Sequence, residues 1–323
     1  MDMALVASRP GGPEVMEWCA LETGTPGPGE ALVRHTAIGV NFIDVYNRSG
    51  LYPWAEDKMI PGAEAAGVVE AVGAGVDNLK PGDRVAYVLK SGAYRERRVL
   101  AADRLVLLPE GISDDLAASV MLKGLTAQYL VTSSYHVKPG DIVLVHAAAG
   151  GVGLLLGQWL KALGARAIGT AGTEEKVALA LKHGYSDVIN YSAVSFAEAV
   201  MELTAGAGCE AVYDSVGKDT WRGSLSCLKP FGMFVNFGQS SGMIEDFKLS
   251  DLAKGSLSAN RPVLFDYVAD RTDLEMRAAD LFGRLLSQDI CADVVSKRPL
   301  REAAQAHQAL EARQTTGAAV LQP

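Results

Sequence analysis

Asp141-Ile-Val-Leu-Val-His146-Ala-Ala-Ala-Gly150-Gly151-Val152-Gly153-Leu-Leu-Leu-Gly157 is the stretch that decides the fold. An apolar run stops abruptly in small residues, and a helix-compatible apolar run follows. That is the pattern of a strand, a tight turn and a helix N-terminus. Gly150 and Gly153 take the second and third glycine places of a dinucleotide fingerprint, and Ala148 stands where the first glycine is usual. A side chain at Gly150 or Gly151 would block close approach of a pyrophosphate. The backbone N–H groups of Gly151, Val152 and Gly153, at the positive end of the helix, are then free to bind phosphate oxygens. Alone, such a glycine pattern is also compatible with an ordinary turn; the β/α units that follow at the expected spacing give it weight.

Downstream of this stretch, β and α alternate. Strand Ile142–His146 leads to helix Val152–Leu163, strand Ala165–Thr170 to helix Glu174–His183 with Thr173 as N-cap, and strand Val188–Asn190 to helix Phe196–Thr204. Strand Ala211–Asp214, helix Trp221–Leu228 and strand Met233–Phe237 complete the series. This alternation predicts a doubly wound parallel sheet covered on both faces, with ligand at the carboxyl ends of the strands. Upstream, the first hundred or so residues are short apolar runs between Gly/Pro turns. Ala31–Thr36, Ala66–Val72 and Arg84–Val88 read as strands of an irregular β-rich domain. Asp114–Val131 reads as a helix capped by Ser113. After Arg261-Pro262 the alternation ends, and an amphipathic segment near Leu274–Ser287 precedes a strand–helix–strand tail that is expected to return to the first domain.

At 323 residues the chain has room for two domains, and 49% hydrophobic with 21% charged residues is the composition of a soluble globular protein. No apolar run approaches the ~20 residues of a membrane span. No basic-then-apolar leader follows Met1, so secretion is not expected. The net charge of −8 disfavours nucleic acid or an anionic membrane as partner. The four cysteines, Cys19, Cys209, Cys227 and Cys291, are scattered without metal spacing, as expected of free thiols in a cytoplasmic protein.

Several ordered motifs resemble the medium-chain dehydrogenase/reductase superfamily, and more narrowly its zinc-free NADPH:quinone oxidoreductases of the zeta-crystallin type. They are Asn41–Tyr46, Arg48–Pro53, Gly62–Gly67, Pro81–Val85, Leu122–Ala127, Gly150–Gly153, Tyr213–Gly217, Gly238–Gly242 and Arg313–Gly317, and they span essentially the whole chain. The resemblance implies a Rossmann-type domain over residues 122–261, inserted in a β-rich GroES-like catalytic domain of residues 1–121 and 262–323. Zinc alcohol dehydrogenases of the superfamily place a Cys at or near Asn41, a His at Ala63, and a lobe of four close cysteines, none of which is present here. A catalytic zinc needs three side-chain ligands, so no metal is expected. Reducing an already electrophilic carbonyl or conjugated system is the chemistry open without a Lewis acid.

For the cofactor, an NAD site usually has an acid about 20 residues past the fingerprint. The second strand instead ends in Gly169-Thr170-Ala171-Gly172-Thr173, which favours NADPH. The resemblance implies that Gly172, Lys176, Tyr191 and Arg313 hold the 2′-phosphate, for which cations and donors are the right chemistry. Thr173 stands beside them. Glu174 and Glu175 are read as acids stabilised in the first turn of a helix. Phe237, Gly238 and Ser240 follow the fifth strand at the ligand edge, and Ser215 follows the fourth. Thr126 and Lys123 lie on the helix joining the domains; the resemblance brings Lys123 near the cofactor, against the alternative of a solvent-facing lysine.

The resemblance also places Asn41, Tyr46, Tyr52 and Arg261 around the nicotinamide and the acceptor. Asn41 has the amide to donate to a carbonyl oxygen or to hold the carboxamide. Phenols remain protonated at neutral pH and stabilise a developing oxyanion, while their rings suit a flat quinone. The alternative for both tyrosines is a loop residue capping the core, and for Arg261 a hinge residue in an ion pair. His146 is read as a hydrogen-bonded core histidine without a catalytic role. The expected function is hydride transfer from NADPH to a quinone bound in a cleft between the domains, and the resemblance implies a homodimer paired through nucleotide-domain edge strands. The alternatives are a 2-alkenal or enone reductase and a crystallin-like NADPH-binding protein.

Overall fold

The structure, a computed structural model, describes all residues 1–323. They form two compact units. The first comprises Met1–Lys123, Val268–Leu286 and Ala292–Pro323; the second comprises Gly124–Tyr267 and Ser287–Cys291.

The first unit opens with an antiparallel hairpin of β1 (Asp2–Ala7) and β2 (Met16–Leu21). The long strand β3 (Glu30–Gly39) leads to helix α1 (Phe42–Ser49). Then come β4 (Glu64–Val72), β5 (Arg84–Val88), β6 (Arg97–Ala101), β7 (Val106–Leu107) and the start of α2 (Asp114–Tyr129). Ser113 caps α2 by accepting from Leu116 N–H at 3.2 Å, as its sequence position predicts.

The second unit carries β8 (Ile142–Val145), α3 (Gly151–Ala162), β9 (Arg166–Ala171), α4 (Glu174–Lys182), β10 (Asp187–Asn190) and α5 (Phe196–Leu203). It continues with β11 (Cys209–Asp214), α6 (Trp221–Ser226), β12 (Leu228–Asn236), β13 (Ser258–Asn260) and α7 (Leu264–Tyr267). Its six strands are all parallel, in the order β10-β9-β8-β11-β12-β13. This is the doubly wound order 3-2-1-4-5-6, whose topological switch lies between its first and fourth strands. Leu144, Ile168, Ile189, Val212 and Phe234, from five different strands, share one core with Trp221 and Val200 of the covering helices.

Beyond α7, α8 (Arg271–Leu286), β14 (Val294–Pro299), α9 (Ala303–Glu311) and β15 (Ala318–Gln322) rejoin the first unit. The path of the seven-stranded sheet, β14-β15-β3-β4-β5-β7, seats β15 antiparallel against β3. In the core, Leu300, Ala303 and Leu321 join Val33, Ile38, Tyr87 and Tyr94.

Three local details depart from the sequence pattern. The expected helix Trp221–Leu228 ends at Ser226, and β12 starts at Leu228, which pairs with Cys209. A register shift between Cys209 and Ala211 follows, with Phe231 in the left-handed region at φ 67°. Such a bulge interrupts the alternation by which a strand is read. The expected helix Asp114–Val131 is α-helical to Tyr129 and continues as a π-turn over Leu130–Ser134. There Leu130 O accepts both the i+5 bond from Tyr135 N–H at 3.1 Å and a bond from the Tyr213 hydroxyl at 2.8 Å. Helix α1 falls on the Asn41–Pro53 motif, where no helix was expected. No helix of the molecule is long and apolar enough to cross a membrane.

Candidate active site

In the second unit the fingerprint forms a loop from β8 into α3. Ala147 takes the left-handed conformation at φ 53°, and its carbonyl accepts from Gly150 N–H at 2.8 Å. The next residue, Ala148, replaces the usual first glycine and is fully buried. Its methyl is accommodated by Gly169 of the neighbouring strand, where a Cβ would lie 2.7 Å from it. Gly153 has no such latitude, since a Cβ there would stand 2.4 Å from Ala147 O and 2.7 Å from Ala148 O. The Tyr185 hydroxyl donates to Gly153 O at 2.7 Å and pins the first turn of α3 from below. Gly151, Val152 and Gly153 are the first three residues of α3, so their N–H groups are among the four that lack intrahelical acceptors. An anion fits there.

At the tip of β9, Gly172 is covered by Tyr191, whose hydroxyl would lie 2.6 Å from a Cβ at that position. Thr173 caps α4 by accepting from Lys176 N–H, which brings Gly172, Thr173, Lys176 and Tyr191 into one region. Glu174 Oε1 accepts from Asn190 Nδ2 at 2.5 Å. Hydrogen bonds from its own N–H and from Thr173 hold the Glu175 carboxyl below the usual range. Both acids behave as first-turn residues. The expected set also includes Arg313, which belongs to the first unit and follows α9 in the left-handed conformation.

Across the switch point, β11 ends in buried Asp214. Its carboxylate accepts from Val216 N–H at 2.8 Å, Gly217 N–H at 2.9 Å and Ser224 Oγ at 2.9 Å. Ser215 O accepts from Ser240 N–H at 3.1 Å, and a Cβ on Gly238 would meet Ser215 O at 2.8 Å. Ser215, Phe237, Gly238 and Ser240 therefore sit together at the carboxyl edge of the sheet. His146, directly after β8, is buried between Thr170 Oγ1 and Ser224 Oγ, both at 3.0 Å. Burial lowers its pKa. It is the core histidine its sequence position predicts. Arg261 follows edge strand β13, with Nη1 3.3 Å from Pro262 O, and Thr126 lies on α2 in the same unit.

In the first unit, Asn41 is the N-cap residue of α1, and Tyr46 lies on that helix. Tyr52 follows it, its N–H donating to Tyr46 O at 3.2 Å and its ring edge-on to that of Tyr46 with centroids 5.4 Å apart. The Asn41 amide is only 4% exposed and donates from Nδ2 to Glu64 Oε1 at 2.7 Å. Glu64, fully buried at the start of β4, also accepts from Lys123 Nζ at 3.1 Å and, through Oε2, from Leu122 N–H at 2.6 Å. Lys123 donates in addition to Val40 O at 3.2 Å. A buried carboxylate is tolerated only when paired and bonded in this way.

Residues 27–139 match the family described as alcohol dehydrogenase GroES-like domain, and residues 151–281 the family described as zinc-binding dehydrogenase. A quinone oxidoreductase of Pseudomonas aeruginosa is 50% identical to this chain over 315 residues, 97% of each. The chain belongs to the quinone oxidoreductase family of the medium-chain dehydrogenase/reductase superfamily. A second relative, the 2-haloacrylate reductase of a Burkholderia species, is 44% identical over 331 residues, 100% of this chain and 99% of its own. Among solved structures, the Escherichia coli quinone oxidoreductase complexed with NADPH is similar with a TM-score of 0.97 at 44% identity, covering 99% of this chain and 100% of that one.

The family motifs drew attention to Asn41 and Lys123 but left out what holds them. Glu64 joins them as their shared acceptor. Asp44 reaches back to the Asn41 N–H at 2.8 Å from the first turn of α1. The Asn-x-x-Asp spacing is the sequence signal of that half of a capping box. Tyr94 and His307, behind Asp44, carry no such signal, because they are 50 and 213 residues from their partners.

Proposed function

We propose that this chain is an NADPH-dependent quinone reductase that works without zinc. One observation carries the reading: the glycine loop enters α3 at the switch point of a 3-2-1-4-5-6 sheet, on a chain that resembles quinone oxidoreductases over 97% of its length. When bound, NADPH supplies a hydride from its nicotinamide. The protein residues do the rest. Gly151, Val152 and Gly153 bind pyrophosphate through N–H groups, and Lys176, Tyr191 and Arg313 offer donors to the 2′-phosphate. The absence of an acid at the tip of β9 supports NADPH over NADH. Asn41 orients the reacting groups, and Tyr46 and Tyr52 donate to the oxygen on which charge develops. One proton then completes the hydroquinone.

The residue types around Asn41 support a zinc-free site. The position that carries a metal ligand in the zinc enzymes holds an amide committed to Glu64, and no group of three His, Cys, Asp or Glu side chains is arranged to hold a metal. A homodimer paired through β13 fits the exposed edge of the sheet, beside which Phe231 is 81% exposed. The similarity to a 2-haloacrylate reductase favours, as second reading, hydride addition to a conjugated carbon. Chelator-treated protein assayed with NADPH and NADH against quinones and alkenals separates them. Quinone turnover with NADPH is the expected result. Turnover of alkenals alone establishes the second reading, and NADPH binding without turnover of either leaves a binding protein.

A further inference from the structure

Beneath Asn41 runs a chain of hydrogen bonds whose direction the chemistry fixes. It begins at Glu311 on α9, which accepts from Arg48 Nη1 at 3.0 Å and Nη2 at 2.8 Å. Arg48, buried on α1, also lies with Nη1 3.0 Å from His307 Nδ1. A guanidinium only donates, so His307 Nδ1 accepts and its proton sits on Nε2. That Nε2–H donates to Tyr94 Oη at 2.9 Å. The Tyr94 hydroxyl then has one proton to give, and it goes to Asp44 Oδ2 at 3.2 Å. Asp44 Oδ2 accepts as well from the Asn41 N–H at 2.8 Å, while Oδ1 is buried with no partner. Nothing in the family reading uses this chain.

We propose that Asp44 is a positioning residue of the reductase site: the chain Glu311–Arg48–His307–Tyr94 holds its carboxyl against the N-terminus of α1, and the charge on that carboxyl governs how well the Asn41–Glu64–Lys123 cluster supports charge developing on the acceptor. This rests on the quinone reductase reading. The groups facing Asp44 are Tyr94, Glu64 from β4, Lys123 from α2 and, one step further, Arg48 and His307. Arg48 is paired by Glu311, so Lys123 is the one cation left for two carboxyls. With Asp44 protonated, Glu64 and Lys123 balance; with Asp44 ionised, the cluster holds one negative charge in excess. Burial, and secondarily the Glu64 charge, push the Asp44 pKa up to about 7, against the donors at Asn41 and Tyr94. His307 stays neutral, its pKa lowered by burial and then by Arg48 to about 3, which keeps the direction of the chain unchanged.

The test follows kcat of the holoenzyme with NADPH and a benzoquinone on both sides of neutrality. We expect a fall of roughly tenfold as pH rises through the Asp44 titration, the scale of one added charge acting over about 12 Å at an effective dielectric of ~20. In Asp44→Asn the fall disappears. In Tyr94→Phe, which removes a donor to the carboxylate, it moves to higher pH. A second readout needs no turnover: the melting midpoint of wild type relative to Asp44→Asn. A carboxyl with a raised folded pKa stabilises fully below its unfolded value and loses that contribution as pH rises to the folded one. The wild type therefore loses ground to the variant up to about pH 7 and no further.

A fall that persists in Asp44→Asn overturns the proposal, as does a midpoint difference that ignores pH. If Asp44→Asn does not fold, Tyr94→Phe decides: an upward shift supports the proposal and an unmoved profile overturns it. A wild type that turns over no quinone overturns the reductase reading and the positioning role with it. The midpoint difference then reports separately whether Asp44 titrates.

Discussion

In the proposed site, the groups offered to a ligand at the end of β8 are peptide N–H groups, placed by a turn whose residues are adjacent in sequence. At the start of α1 they are side chains, held by partners up to 263 residues away. The first arrangement needs only small residues in the right order. The second needs a finished core, because Asn41, Glu64, Lys123 and Asp44 are all nine-tenths buried or more. A backbone site fails when something is added to it, and a side-chain site fails when something is taken away.

The largest expected effect comes from adding bulk to the backbone site. Gly153→Val drives its side chain into Ala147 O and Ala148 O, so the turn must shift. NADPH affinity should fall by at least about a hundredfold, on the scale of overpacking penalties of 1–3 kcal/mol plus lost N–H contacts. Fluorescence titration with NADPH measures this, and unchanged affinity breaks the comparison. Next comes removal of a charge from the same unit. Lys176→Ala should raise the KM for NADPH about tenfold or more, since a hydrogen bond to a charged group contributes ~1.5–3 kcal/mol. The KM for NADH should not move, and an equal effect on both cofactors removes Lys176 from the phosphate.

The third effect concerns the first unit and acid, and it starts small near neutrality and grows as pH falls. His35 is buried between Tyr87 Oη at 3.0 Å and Arg95 O at 2.7 Å. Burial holds its pKa near 3, below the ordinary 6.5. An unfolded chain therefore binds this proton first, and stability is lost as pH falls from 6.5 toward 3, by roughly 1.4 kcal/mol per pH unit. In His35→Asn, urea unfolding measured between those limits should show a slope reduced by about one proton. An unchanged slope means that this buried polar site does not drive acid sensitivity.

The same contrast explains what was legible in the sequence. Strand and helix order in the second unit could be read because each β/α element carries its own period and cap, as Thr173 illustrates. A bulge at Leu228–Gly232 and a π-turn at Leu130–Ser134 break the period, and there sequence and structure differ. In the first unit the Asn41 motif was visible, but helix α1 within it was not. Its eight residues are amphipathic, with Phe42, Val45 and Tyr46 at i, i+3 and i+4, but two turns are too short a run for that spacing to announce a helix. Glu64 stood in view as part of a turn motif without its role, because burial and partnership with Lys123 are tertiary facts. Tyr94 and His307 were silent, since a hydrogen bond across 213 residues leaves no local pattern.

Ala147 bears a further consequence. A non-glycine residue in the left-handed region costs on the order of 1 kcal/mol, and the loop keeps that shape through bonds internal to the protein: Ala148 N–H to Thr170 O at 2.9 Å, Gly150 N–H to Ala147 O at 2.8 Å and Tyr185 Oη to Gly153 O at 2.7 Å. The loop has thus spent its ordering entropy during folding. An arriving phosphate meets a rigid receptor, so association should be a single kinetic phase whose rate rises linearly with ligand concentration, with no slow isomerisation behind it.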